Sequence, residues 1–225
     1  MPNNIETLPG ASIPSIRNEF SDLLHLDGNH IVNQVAYRWL RHGIREAKIF
    51  EMFISQNPHV LPEGIQYQDL LEGVKYHDIA KPELTRIHGR DFWSIPGDLT
   101  DEEWKIMQLH PVIGAAMLNQ YYEENPNRMS RIIISMTLNH HEHYDGLGYP
   151  NRKKGTQIPW EARLLTIVDN FTAGIESRPY SGREKIPLVM AYLNEHANFF
   201  DPNYLRVFID FVKSGALADM PWIKQ

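Results

Sequence analysis

At 225 residues, 42% of them hydrophobic, the chain is long enough to bury a substantial core as one domain or two small ones. Its 28 acidic side chains against 22 basic ones leave a formal charge of −6, which disfavours a grip on long nucleic acid through its phosphates. There is no cysteine, so disulfides, thiolate metal sites and cysteine nucleophiles are excluded together, and any metal must be held by nitrogen and oxygen.

Residues 1–20 are rich in Pro, Asn and Ser and read as an irregular arm, without the basic start and apolar run of a secretory signal. Apolar residues at 31, 35, 39, 40, 44, 47, 50 and 54 then recur with helical spacing. Residues 67–81 read as a helix stopped by Pro82. In "LTDEEWKIMQLHPVIGAAMLNQYY", Thr100 and Glu103 form a capping box with acids in the first turn, so one helix starts there. Residues 128–141 give a further helix, and residues 159–175 another, opened by Pro159. "IPLVMAYLNEHA" and "PNYLRVFIDFVKSG" complete the set. No alternating strand pattern exceeds a few residues, and no stretch reaches the roughly 20 apolar residues of a membrane span. The expectation is an all-α, cytoplasmic protein. Residues 1–60 form an arm and helical preface, and residues 61–225 form the main helical domain packed with it as one unit.

Several polar residues interrupt these apolar helices. His77 and Asp78 follow "LLEGVKY", His110 lies in "MQLHPVIG", His140 and His141 end "IIISMTLNHH", and Asp169 lies in "LLTIVDNF". Any one of them is unremarkable as a hydrogen-bonded core histidine, a cap or a salt-bridge partner. Six of them on four helical segments are harder to dismiss, because burying so much unpaired polar matter is costly. Imidazole and carboxylate without thiolate suit Fe, Mn, Zn or Ni. Neighbours on a helix diverge by about 100°, so His77 and Asp78 cannot chelate one ion as parallel arms. A carboxylate at Asp78 can instead bridge two ions, which hints at a multinuclear centre.

The order "HD" at 77–78 with Lys81, "HP" at 110–111 with Gly114, "HHE" at 140–142, "DGLGYP" at 145–150, "RLLTIVDNF" and "SRPYS" resembles the HD-GYP family of metal-dependent phosphohydrolases from about residue 67 to 181. The resemblance implies an HD-GYP-like helical bundle that hydrolyses the bacterial second messenger cyclic di-GMP to pGpG or GMP through a metal-bridging hydroxide. It implies two or three divalent ions, iron first and manganese next. The ligands would be His77, Asp78, His110, His140, His141 and Asp169, with Asp78 bridging. The family's upstream histidine, on the first helix, is assigned to His30 in "HIVNQVA"; members that hold three ions carry an acid one turn before that histidine. Lys81 would neutralise charge on the phosphate, and Tyr149 and Arg178 would contact the ligand. Glu142 reads either as an orienter of a ligand imidazole or as a helix-end charge, and His143 as loop surface or pocket rim.

Two rival readings follow from the same residues. "TAGIESRPY" has Thr172 where the family has an acid, which fits a non-catalytic cyclic di-GMP receptor or protein-interaction module. Another HD-type nucleotide phosphohydrolase is the third reading, against which the complete "GYP" segment argues. No sensor domain is visible, so control is expected from the helical preface, from expression or from a regulatory partner such as a diguanylate cyclase domain.

Overall fold

Helical periodicity dominates the computed structural model, which describes residues 30–93, 99–127, 129–177 and 182–224; no strand occurs among them. The long helix α1 (His30–Gln56) carries a stripe of buried residues that includes Val32, Val35, Trp39, Glu46, Ile49, Phe50 and Phe53. Its C-terminal end is closed by the Asn57 side chain, which donates to the Phe53 carbonyl at 2.9 Å.

Two helices expected to be continuous are each split, and in both cases the break falls at a histidine. Helix α2 (Tyr67–Tyr76) ends just before His77, and a turn of residues 77–80 leads into α3 (Lys81–His88). Pro82 therefore starts a helix instead of stopping one: it sits in the first turn of α3, where its missing N–H has no intrahelical acceptor in any case. The capping box at Thr100 forms as expected, with Glu103 N–H donating to Thr100 Oγ1 at 3.3 Å and Thr100 N–H donating to Glu103 Oε2 at 2.8 Å. It opens only the short α4 (Asp101–Met107); Pro111 then occupies the first turn of a new helix, α5 (His110–Glu124).

Helix α6 (Arg131–Asn139) starts on Ser130, whose hydroxyl accepts from Ile132 N–H, and stops at His140. After the Gly-rich loop come α7 (Trp160–Ser177), α8 (Gly182–Glu195), α9 (Pro202–Lys213) and α10 (Pro221–Lys224). No helix among the described residues is long and apolar enough to cross a membrane.

Helix α1 packs on α2, α3 and α7, and α6 packs on α2, α5 and α7. The main core is aromatic: the ring of Phe53 lies 5.2 Å from Phe208, which lies 5.3 Å from Phe171. A smaller apolar cluster joins Trp39, Tyr76, Ile79, Leu118 and Ile133. Along α1, His42 and Glu46 fall between Trp39 of the small cluster and Phe50 of the large one. Between them Gly43 lets the helices touch, since a Cβ there would lie 2.6 Å from the Lys75 carbonyl oxygen.

Candidate metal centre

Three of the expected histidines stand at helix boundaries and are held in the same way. His77 Nδ1 donates to the Val74 carbonyl at 2.7 Å, His110 Nδ1 to Met107 at 2.7 Å, and His140 Nδ1 to Thr137 at 2.8 Å. Each bond runs three residues back, to a carbonyl near the end of a helix or turn. With the Nδ1 proton committed in this way, Nε2 of each ring faces the interior, and in His110 and His140 it presents its lone pair there. His110 Nε2 and His140 Nε2 then lie 3.2 Å apart with no proton to share, and His141 Nε2 is 3.1 Å from His110 Nε2. Converging lone pairs of this kind call for a cation.

Asp78 lies between two groups of donors. Its Oδ1 is 3.3 Å from His110 Nε2 and 3.7 Å from His140 Nε2. Its Oδ2 is 3.3 Å from His77 Nε2 and also meets Lys81 Nζ. On the Oδ2 side, His77 Nε2 is 3.9 Å from Asp169 Oδ1, which is 3.2 Å from His42 Nε2. Two sets of donors result, Asp78–His110–His140–His141 and His42–Glu46–His77–Asp169; within each, one atom per residue lies within 4.8 Å of the others. His77 Nε2, Asp78 Oδ1 and both Glu46 oxygens are buried without a hydrogen-bond partner. A divalent ion in each set would satisfy these atoms, and the all-nitrogen-and-oxygen donors fit the metals expected from composition.

Electrostatics divide the two sets. Burial pushes His140 down to about 4 and His141 well below the ordinary imidazole value, so both are neutral donors. Burial also opposes charge on His77, but the carboxylates of Asp78 and Glu46 outweigh it and lift the ring to about 9. His42 likewise rises to about 9 against its burial, through hydrogen bonds to Asp169 and Glu176. Despite burial, Lys81 and His77 hold Asp78 well below the usual carboxylate range. Burial pushes the Glu46 carboxyl well above its usual range. The second set therefore pairs carboxyl groups with imidazoles that hold their protons, whereas His140 and His141 of the first are neutral.

His77, Asp78, His110, His140, His141 and Asp169 are thus brought together. Lys81 keeps a side chain 19% exposed, and its ammonium sits 5.4 Å from the centre of the Trp93 ring. Tyr149 stacks on His141 with centroids 4.8 Å apart. The first helix contributes His42 to the cluster where His30 had been expected. His30 opens α1 twelve residues earlier, about 18 Å along the axis at 1.5 Å per residue, and its side chain lies outside the described residues. Arg178 also lies outside the described residues.

Glu142 does not orient a ligand imidazole. Its carboxylate accepts from the N–H groups of Asn151 at 2.7 Å and Lys153 at 2.8 Å, which ties down the far side of the Gly-rich loop. Gly148 permits that fold, because a Cβ there would run into the backbone of His141 and His143. His143 stacks on Phe199 at 4.1 Å and takes no part in the cluster.

Sequence reasoning missed His42, Glu46 and Glu176. The signal was the helical phase: Trp39, His42, Glu46, Ile49 and Phe53 recur at three- and four-residue steps, so a histidine and an acid share the apolar face. Glu176 accepts from His42 Nδ1 at 2.7 Å and from Arg45 at 3.1 Å, fixing that imidazole as the backbone carbonyls fix the others.

Residues 65–204 match the HD domain family. The cyclic di-GMP phosphodiesterase response regulator RpfG of Xanthomonas campestris pv. campestris is 38% identical over 108 residues, 48% of this chain and 28% of that protein. The cyclic di-GMP phosphodiesterase PA4108 of Pseudomonas aeruginosa is 32% identical over 152 residues, 68% of this chain and 34% of that protein. The chain thus spans between a quarter and about a third of the length of these two relatives. Among solved structures, a cyclic GMP-AMP specific phosphodiesterase of Vibrio cholerae, V-cGAP3, matches with a TM-score of 0.56 at 18% identity, over 79% of this chain and 46% of that one, which is a likeness of fold.

Proposed function

This chain belongs to the HD domain family, and from that premise we propose that it is a metal-dependent phosphodiesterase that hydrolyses cyclic di-GMP to pGpG or GMP. The observation that carries the reading is Asp78, one carboxylate facing two separate sets of buried nitrogen and oxygen donors. His110, His140 and His141 would hold one ion, His42, His77 and Asp169 the other, and Asp78 would bridge them. Bound there, two divalent ions would polarise the phosphate and acidify water for in-line attack. Iron comes first and manganese second among them. The position one turn before His42 is Arg38, a cation paired with Asp91, which supports two ions over three.

The chain's own groups supply the rest. Lys81, tethered by Asp78 and standing over Trp93, is placed to neutralise a phosphate oxygen as charge builds. Tyr149 and Trp93 flank His110, with centroids at 6.5 and 6.1 Å, and are the aromatic rings beside which a purine would be held. Glu142 holds the loop that presents Tyr149. The active unit is residues 61–225 together with α1, since α1 provides His42. The setting is the cytoplasm, where a diguanylate cyclase domain is the natural regulatory partner.

The test is anaerobic loading with Fe(II), or loading with Mn(II), followed by chromatography of cyclic di-GMP, pGpG and GMP, with cyclic GMP-AMP as the competing substrate. Turnover of cyclic di-GMP is expected. Two bound ions with no turnover of either dinucleotide would reject the enzymatic reading, and calorimetric binding of cyclic di-GMP in that state would establish a receptor.

A further inference from the structure

Glu46 is fully buried, and neither of its carboxylate oxygens has a hydrogen-bond partner. It lies one turn after His42 on α1, so both side chains project from one face of the helix. Its Oε2 is 3.5 Å from His42 Nε2, and that nitrogen is in turn 3.2 Å from Asp169 Oδ1. Donors sharing a first-row ion, each roughly 2.0–2.2 Å from it, lie up to about 4.4 Å apart, and these separations fall within that limit.

The obvious competing role is orientation of His77. Glu46 Oε2 stands 3.6 Å from His77 Nδ1, but that nitrogen already donates to the Val74 carbonyl at 2.7 Å. His42 is likewise oriented without it, by Glu176. Both imidazoles beside Glu46 therefore have their Nδ1 protons taken elsewhere. What remains for the carboxylate is the space between His42, His77 and Asp169. A buried carboxyl group with neither oxygen hydrogen-bonded is costly to hold, and a cation in that space would take up both oxygens.

We infer that Glu46 is a direct ligand of the second metal ion, making that site two histidines and two carboxylates in addition to the bridging Asp78. The inference rests on the metal-centre reading above and deepens it. It makes the two ions unequal. The ion held by His110, His140 and His141 has an imidazole-rich set, whereas the ion held by His42, His77, Asp169 and Glu46 has a harder, oxygen-rich set that favours Mn(II) over softer ions. Glu46 also fills a position that would otherwise take water or substrate, so exchangeable positions concentrate on the first ion, on the side of Tyr149.

The test is metal counting on the full chain. Wild type, Glu46→Gln, His42→Ala and the double variant are loaded with Mn(II), desalted and assayed for manganese per chain, with electron paramagnetic resonance to detect a coupled ion pair. Glutamine keeps the shape of the side chain and removes its charge. Circular dichroism confirms that each variant is folded. Wild type is expected to hold two ions with a coupled signal. E46Q, H42A and the double variant should each hold one, uncoupled, with no loss in the double beyond the single. Two coupled ions in E46Q, bound as tightly as in wild type, would overturn the inference and leave the metal-centre reading standing. Fewer than two ions in wild type overturns the metal-centre reading itself, and the inference with it.

Discussion

An imidazole becomes a directed donor only when its other nitrogen is committed. Here three histidines spend that proton on a carbonyl three residues back, and His42 spends it on Glu176. Glu176 is therefore a positioning residue, and groups of this kind typically govern metal affinity by about 10–100-fold. Glu176→Gln should weaken uptake of the second ion by that order and leave the first intact, read as a biphasic Mn(II) titration in which only one phase shifts. Glu142 acts on the other wall. Glu142→Ala strands two backbone N–H groups and should cost about 1–3 kcal/mol in urea unfolding. It should also raise KM more than it lowers kcat, since the loop that carries Tyr149 loosens while the ligands stay. At this scale most of the centre was legible: His77, His110, His140 and Asp169 each break an apolar run, and that is visible in a string of letters. His42 was not, because "RWLRHGIREAK" is rich in charge and hides the histidine on what the fold makes a buried face. Its assignment to His30 followed local motif likeness, whereas helical phase relative to Trp39 and Phe53 selects His42.

The helices were legible as a set and misjudged at their ends, and the ends are where the chemistry lies. Residues 67–81 and the segment after Thr100 are apolar enough to read as continuous helices. Proline resolves both: Pro82 and Pro111 sit in first turns, so each chain segment stops and restarts, and the restarts free His77 and expose the start of α5 at His110. Periodicity cannot register such a break, because the apolar pattern continues across it in nearly the same phase. The contact of α1 with α2 was not legible either, since a glycine in a charged helix carries no label of what lies opposite. Gly43→Ala tests that contact. Its Cβ would fall 2.6 Å from a backbone oxygen, which no rotamer change relieves. A cost of about 1–3 kcal/mol is expected from overpacking. Because Gly43 adjoins His42, the variant should also lose the second ion first, so that metal content falls towards one per chain before any loss of helicity appears in circular dichroism.

Taken as a whole, the molecule is arranged so that a loaded metal centre would act as a tie. The donors come from α1, from the turn after α2, from the start of α5, from the end of α6 and from α7, and without cations they leave buried carboxylates and lone pairs facing one another. The aromatic core is a separate source of stability, since Phe53, Phe171 and Phe208 pack with one another and none of them is among the donors. These two contributions can be told apart. Ions that bind only the folded chain stabilise it by about 2.7 kcal/mol for each site held at a hundred times its Kd. For a chain of this size each kcal/mol moves Tm by about 2–4 °C. Chelation should therefore lower Tm by about 5–11 °C per ion lost, reversibly on addition of Mn(II). Phe53→Ala should cost about 3–5 kcal/mol through the cavity it leaves, and by the same amount with or without metal. In His42→Ala the Tm drop on chelation should be about half that of wild type, because only one ion remains to be removed. If the tie were spread through the core, the effects of Phe53→Ala and of chelation would fail to add; with the centre and the core independent, they add within the error of the melting curves.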